Sequence, residues 1–352
     1  MEWVPCEEQV GTLGCREGHC ATCLLESGTG EAWVLCVGGY CDGERDGAVI
    51  ASKVSALPAL RWVTLSRGTA CFECDGASLT RAGGDAAAVA YLFGGLDAAM
   101  DRCNRLVCLS LQHAEGGPTL SAVALQALGD IPPPRTQHSA GGTGTHLFVF
   151  GGETDDAEQN NDLYQLSLDR LVWTCVRVGP KVPPPRLLAG PLVFVSSQVC
   201  VLYGGAHFIN GDIKSLDDVW ALDVSSGGEW SQLRSDVDDK DGGDSIFPRS
   251  NGHAGGLLRC RDGIAAVFVG GKDAAEGCDK AKQVELSNIA GGRSYLSLVE
   301  PALTGSTEGP HWRYTPAVAE TRCGLVLLGG QCRHPQEVTT FLLRHSDGAE
   351  MC

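Results

Sequence analysis

Apolar residues in this chain come in short runs that end in glycine, and the clearest instance lies between His146 and Trp173. An apolar run, Leu147 to Phe150, stops at Gly151-Gly152; after a polar loop, alternation resumes through Asp162-Leu163-Tyr164-Gln165-Leu166, and a short turn leads to Leu171-Val172-Trp173. Alternation with a period of two is what a half-buried antiparallel sheet requires, so the stretch predicts three short strands. The glycine pair has no Cβ, which lets the backbone take positive φ and lets neighbouring sheets approach closely. A unit this small cannot bury both of its faces, so it needs copies of itself.

The chain supplies them. A glycine pair follows an apolar run six times, at Gly38-Gly39, Gly94-Gly95, Gly151-Gly152, Gly204-Gly205, Gly270-Gly271 and Gly329-Gly330, with spacings of 56, 57, 53, 66 and 59 residues. An alternating element follows each pair, at Lys53 to Leu57, Asn104 to Leu109, Asn161 to Leu166, Asp217 to Leu222, Lys282 to Leu286 and Glu337 to Leu342. A fourth strand carries Trp62, Trp173 and Trp230, and degenerates in the second and fifth copies to Ala122–Leu125 and Leu296–Val299. No long segment keeps a 3.6-residue apolar period, so helix is scarce.

A period near 50 residues with these glycine pairs resembles the kelch-repeat β-propeller family, over nearly the whole chain. The family's Arg with a His shortly after it, ahead of the innermost strand, appears as Arg16/His19, Arg135/His138 and Arg249/His253, and without the His at Arg81, Arg186 and Arg313. The resemblance implies an all-β, six-bladed kelch-type β-propeller with blades near 14–66, 80–126, 135–178, 186–234, 249–300 and 313–345. After Leu342-Leu343 the sequence offers no fourth strand for the last blade, whereas Glu2-Trp3-Val4-Pro5 matches Arg61-Trp62-Val63-Thr64 in type. Residues 1–10 are therefore expected to close the last blade, which removes the open edges of the ring. The expectation is one propeller domain over 1–352 with no appended module.

Composition narrows the partners. The formal net charge is −16, and no Lys/Arg cluster offers a surface for nucleic acid or anionic membrane. A protein partner with a basic or neutral surface fits better, with the chain as a subunit of a larger assembly. No apolar run is long enough to span a bilayer. The start, MEWVPCEEQV, lacks the basic and apolar regions of a secretory signal. The 17 cysteines are odd in number, and Cys36, Cys108, Cys175 and Cys200 sit in apolar strands, so they read as small buried hydrophobes in a reducing, cytoplasmic setting.

In a four-stranded antiparallel blade, the connection between the second and third strands and the connection to the next blade emerge on one face. Those are the long ones here, Glu153 to Asn160, Ala206 to Leu216, Gln112 to Pro134 and Arg234 to Arg249, so the partner site is placed on that face. Candidate contact residues are Tyr40, Arg102, His207, Phe208, His311, Trp312, Arg333 and His334, of the aromatic and basic types that anchor interfaces. The bland alternative for each is an ordinary loop or packing role, and the arginines ahead of the inner strands read as structural.

No cofactor or metal is expected. Asp236 to Asp244 is acidic but lacks the glutamate that closes a calcium loop, and reads as a solvated insertion. A zinc site from Cys15, His19, Cys20 and Cys23 with Cys71 and Cys74 stays conceivable, although Cys20 and Cys23, three apart on a strand, point to opposite faces. The patterns of galactose-oxidase-like, nitrile-specifier-like and sialidase-like propellers, and a G-x-S-x-G elbow, are absent. The sequence thus reads as a non-enzymatic interaction scaffold, with a metal-dependent or redox propeller enzyme as the alternative.

Overall fold

The computed structural model describes residues 2–10, 13, 16–41, 43–82, 88–155, 159–209, 211–225, 227–233, 247–260, 263–273, 283–287, 295–297, 313–331 and 340–344. Alternating apolar segments pair in sequence order into six antiparallel blades. From the innermost strand outward, blade one is Cys20–Ser27, Ala32–Val37, Val49–Lys53 and Val63–Ser66; blade two is Ser78–Ala82, Val89–Phe93, Leu106–Ala114 and Gly117–Leu125. Blade three is Ser139–Gly142, His146–Thr154, Gln159–Ser167 and Val172–Cys175; blade four is Val193–Phe194, Val199–Tyr203, Val219–Asp223 and Glu229–Leu233. Blade five is Asn251–Cys260, Gly263–Lys272, Gln283–Ser287 and Tyr295–Ser297. Blade six is Ala317–Thr321, Gly324–Leu328 and Thr340–Arg344, completed by Glu2–Pro5.

The closing strand pairs antiparallel, with Glu2 opposite Arg344, Trp3 opposite Leu343, Val4 opposite Leu342 and Pro5 opposite Phe341. The fold is therefore the six-bladed propeller that the repeats imply, closed by its N-terminal strand. Around the axis each innermost strand neighbours that of the next blade, and the sixth neighbours the first.

The core is six slabs, each between adjacent blades. Phe93, Leu106, Val149 and Trp173 fill the slab between blades two and three; Phe150, Leu163, Leu202 and Trp230 fill the next. The outer-strand tryptophans reach back to the aromatic just ahead of the preceding blade's glycine pair, with ring centroids 5.2 Å apart for Trp173 and Phe93 and 5.0 Å for Trp230 and Phe150. Such contacts combine large apolar burial with favourable ring geometry.

Several expectations need correction. The third strand of blade one is Val49–Lys53, and Val54–Ala56 form a 3₁₀ turn rather than the predicted strand. Of the expected connection Gln112 to Pro134, the part up to Leu125 is strand instead: Leu106–Ala114 and Gly117–Leu125 form one long hairpin that turns on the opposite face, and the outermost strand of blade two is longer than predicted. Cys36 and Cys200 are buried and Cys108 is half-buried, but Cys175, at the end of the outermost strand of blade three, is exposed.

Candidate functional site

Both members of all six glycine pairs have positive φ. Geometry explains the demand: a Cβ on the first glycine would lie within 2.4 to 2.8 Å of a carbonyl oxygen of the next blade, that of Cys74, Arg135, Arg186, Ser250, Arg313 or Arg16. The second glycine donates its N–H to that same carbonyl at 2.7 to 2.9 Å. Each blade is thus bonded to the next through a contact that has no room for a side chain.

The residues carrying these carbonyls define the true register of the repeat. Arg135 donates to Gly151 O at 2.8 Å and makes a bidentate pair with Asp162, at 2.8 and 2.9 Å; Arg186 does the same with Gly204 O, at 2.6 Å, and Asp218, at 2.8 and 2.7 Å. Arg16 bonds Gly38 O and Asp46. These arginines are buried and structural, each bracing the glycine turn of its own blade. Arg81 and Arg249, expected in this set, do not belong to it. Arg81 lies inside the innermost strand of blade two, whose equivalent position is Cys74; in blade five the position is Ser250, while Arg249 pairs with Asp217 at 3.4 Å on the surface.

Three residues beyond that position stand His19, Ala77, His138, Ala189, His253 and Pro316, so an imidazole alternates with a small or cyclic residue around the ring. The imidazoles wedge beside the preceding blade's first glycine, at Gly329, Gly94 and Gly204. Burial holds them neutral: the pKa falls to about 3 at His19 and His138, helped by the charge of Arg16 or Arg135, and to about 4 at His253. His138 Nε2 lies 2.8 Å from Ser78 Oγ.

Between these two positions lies a second ring, around the mouth of an axial channel of about 570 Å³ lined by the innermost strands. Gly18, Gly76, Gln137, Leu188, Gly252 and Thr315 all have positive φ. Each backbone N–H donates to the carbonyl of the residue before it in the ring, at 2.7 to 3.0 Å, except that Gly18 N–H reaches Thr315 Oγ1 at 3.3 Å. Just outside this ring, burial raises the Glu17 and Asp75 carboxyls, Asp75's charge adding to the rise at Glu17, while Lys272 and Arg45 respectively oppose the shifts. Arg45 pairs with Asp75 at 2.7 Å, and Lys272 Nζ sits 3.9 Å from the Tyr314 ring centroid.

The long-loop face carries the predicted contact residues that fall among the described ones. Tyr40, 38% exposed, lies in a small hairpin with Glu44–Arg45. Arg102 is half-buried and turned onto Glu153 of the next blade, 2.9 Å away. His207 and Phe208 lie on the hairpin Ala206–Ile209/Asp212–Ser215 of blade four, where His207 is half-buried and Phe208 is 41% exposed. His311, Trp312, Arg333 and His334, and the acidic stretch 236–244, lie outside the described residues.

Ile209 and Ile213, absent from the expected contact residues, are 45% and 48% exposed on the same hairpin. A signal was present, because Asn210-Gly211 between alternating residues is a strong two-residue hairpin mark. Exposed Met100 was missed as well; it sits at φ 69 in a turn capped by Asp97 Oδ1, which accepts from Ala99 and Asp101 N–H.

Among the described residues, no group of three or more His, Cys, Asp or Glu side chains could hold a metal ion. Cys20 packs between blades one and two and Cys23 between blades one and six, so their side chains do diverge, and Cys15 lies outside the described residues. Burial pushes the Cys74 thiol up to about 12. Eleven described cysteines are free thiols, and Cys323 is disulfide-bonded. No helix among the described residues is long and apolar enough to cross a membrane.

Comparison with known proteins agrees with the geometry. Leucine-zipper-like transcriptional regulator 1 homolog of Drosophila melanogaster is 27% identical over 149 residues, 41% of this chain and 14% of that protein. Acyl-CoA-binding domain-containing protein 5 of Arabidopsis thaliana is 29% identical over 166 residues, 47% and 23% of the two chains. Host cell factor homolog hcf-1 of Caenorhabditis elegans is 31% identical over 124 residues, 32% and 16%. The matches span less than a quarter of these curated relatives. The solved structure titled "Structure of YjhT" superposes with a TM-score of 0.64 over 97% of both chains at 15% identity, a likeness of fold. The profile of the KLHDC2/KLHL20/DRC7 Kelch-repeats domain matches residues 18–251, and with six glycine pairs bonded in register around the axis, the chain belongs to the kelch-repeat family.

Proposed function

We propose that this propeller is a non-catalytic recognition module that holds a partner protein on its long-loop face, with the blade-four hairpin as the main contact. Kelch-repeat domains generally serve protein–protein interaction. The observation that carries the reading here is the exposure of Phe208, Ile209 and Ile213 on one short hairpin. Large apolar side chains concentrated on a projecting element mark interaction sites, whereas scattered ones need no explanation. The hairpin is also held in place: Ala206 and Leu187 exchange backbone hydrogen bonds, and Phe208 N–H donates to Gln159 Oε1 of blade three at 2.8 Å. A preorganised element loses little freedom on binding.

The free thiols fit a reducing compartment, and the disulfide at Cys323 is the observation that stands against it.

The test is capture of partners from a lysate on the immobilised full chain, with cross-linking mass spectrometry, beside the Phe208→Ser and Ile209→Ser variants. Crosslinks to the long-loop face, lost in both variants at unchanged thermal stability, are expected. Undiminished capture, or a large fall in stability, would show that these side chains do not serve recognition.

A further inference from the structure

The two edges of the blade-four hairpin are not alike. Ala206 pairs with Ser215, His207 with Lys214, Phe208 with Ile213 and Ile209 with Asp212. With two residues between them in sequence, the closing pair Ile209 and Asp212 is of the kind that exchanges hydrogen bonds inside a hairpin, and so is every second pair beyond it. The backbone groups of Ala206 and Phe208 therefore point away from the partner strand, toward Leu187 and Gln159, which engage them. The same parity turns the N–H and C=O of Ile213 toward the other edge. No hydrogen bond reaches them there among the described residues, and Asp212, Ile213 and Lys214 are all exposed.

An exposed edge is a template for another strand. This one reads negative, apolar, positive: Asp212, Ile213, Lys214. Turned about a two-fold axis beside Ile213, it lies antiparallel to itself with Asp212 opposite Lys214 and Lys214 opposite Asp212. Ile213 then meets its own copy as a hydrogen-bonded pair, the arrangement that uses its outward N–H and C=O. Parallel pairing in register would set like charges opposite each other and is disfavoured. Phe208 and Ile213 share one face of the hairpin, so antiparallel pairing also joins their side chains into a single apolar strip across four strands.

We propose that the edge Asp212–Lys214 is a self-association site, at which two copies of this chain pair about Ile213 into a four-stranded sheet. The inference rests on the reading of the hairpin as a protein-binding element and names a second copy of the chain as the protein bound. The contact is isologous, so it closes at two subunits. Its small area makes it a weak, reversible dimer.

Sedimentation of the full chain over a concentration series, from the low micromolar range upward, tests this. Dimer formation is expected to rise with concentration. D212K and K214D each set like charges opposite one another in the homodimer, and each is expected to weaken dimerisation about tenfold or more. The D212K/K214D double variant restores it, and so does an equimolar mixture of the two single variants, because each supplies the charge that the other lacks. A parent chain that stays monomeric, or a dimer indifferent to both single reversals, overturns self-association at this edge. In the monomeric case, capture of a heterologous protein that Phe208→Ser abolishes would leave the recognition reading standing, while failure of both experiments removes both.

Discussion

The backbone N–H of Gly330 donates to the carbonyl oxygen of Arg16 at 2.8 Å, and this bond joins the sixth blade to the first. It is one of six equivalent bonds, each running from the second glycine of a pair to the residue that precedes the next blade's inner strand. The propeller is therefore bonded all the way around at the radius of its glycine turns.

Replacing the first glycine of a pair should break this contact. At Gly329 an added Cβ would stand 2.8 Å from Arg16 O, on a backbone at φ +56. Gly329→Ala is expected to cost about 2–4 kcal/mol in urea unfolding, combining steric overlap with backbone strain. Gly43→Ala, at φ +92 with nothing within 4 Å, carries only the strain and serves as control. Equal losses in the two variants would show that the close approach between blades is not what requires glycine.

The Arg135 guanidinium is fully buried and takes both oxygens of Asp162. Asp162→Ala leaves that cation inside without a counter-charge, at an expected cost of about 3–5 kcal/mol. Asp169, on an exposed turn beside Arg170, provides the comparison, since an exposed pair contributes little. A similar small effect at both positions would rule out the bracing role of the arginine.

Acid should weaken the ring through its imidazoles. The folded protein keeps His19 and His138 neutral down to about 3 and His253 down to about 4, against a reference of 6.5. Between those values the unfolded chain binds protons that the folded chain does not. The stabilising contribution is thus complete above pH 6.5 and is lost as pH falls toward 4 and 3, by at most about 1.4 kcal/mol per pH unit for each histidine. Glu17 and Asp75 act with the opposite sign over the carboxylate range, since burial raises both. Urea midpoints between pH 7.5 and 4.5 measure the slope, and His253→Gln should flatten it; an unchanged slope would assign the acid sensitivity elsewhere.

Leu188 holds φ +57 in the ring of backbone bonds at the channel mouth, where Gly18, Gly76 and Gly252 fill the equivalent places. Leu188→Gly should therefore leave stability unchanged or raise it by up to about 1 kcal/mol, because the folded chain loses strain. A clear loss on thermal unfolding would mean that the half-buried side chain packs more strongly than its backbone is strained.

The parts of this fold that repeat in residue type were legible in the sequence. The glycine pairs, the alternating third strands and the kinship of Trp3 with Trp62 all follow from the period of a strand and the missing Cβ of glycine. Arg81 and Arg249 misled because the ring position is set by backbone geometry, as at the positive φ of Gly76 and Gly252, and Cys74 and Ser250 can occupy it without a guanidinium. The long hairpin of blade two was hidden because Gln112 and His113 look like loop residues yet continue a strand. At the candidate site, Phe208 stood out as an exposed aromatic, while Ile209 and Ile213 resemble buried strand residues unless the Asn210-Gly211 turn is used to lift them onto a projecting hairpin.

The pairing of Glu2 with Arg344 has a mechanical side. Their side chains meet as well, Arg344 Nε donating to Glu2 Oε1 at 2.8 Å, at the same end of the closing ladder. Tension applied between these two residues loads that ladder at its first rung and opens it one pair at a time, as a zip opens, instead of shearing all its pairs together. The ring would resist heat through six packed slabs, yet it would yield to a modest pull at this seam.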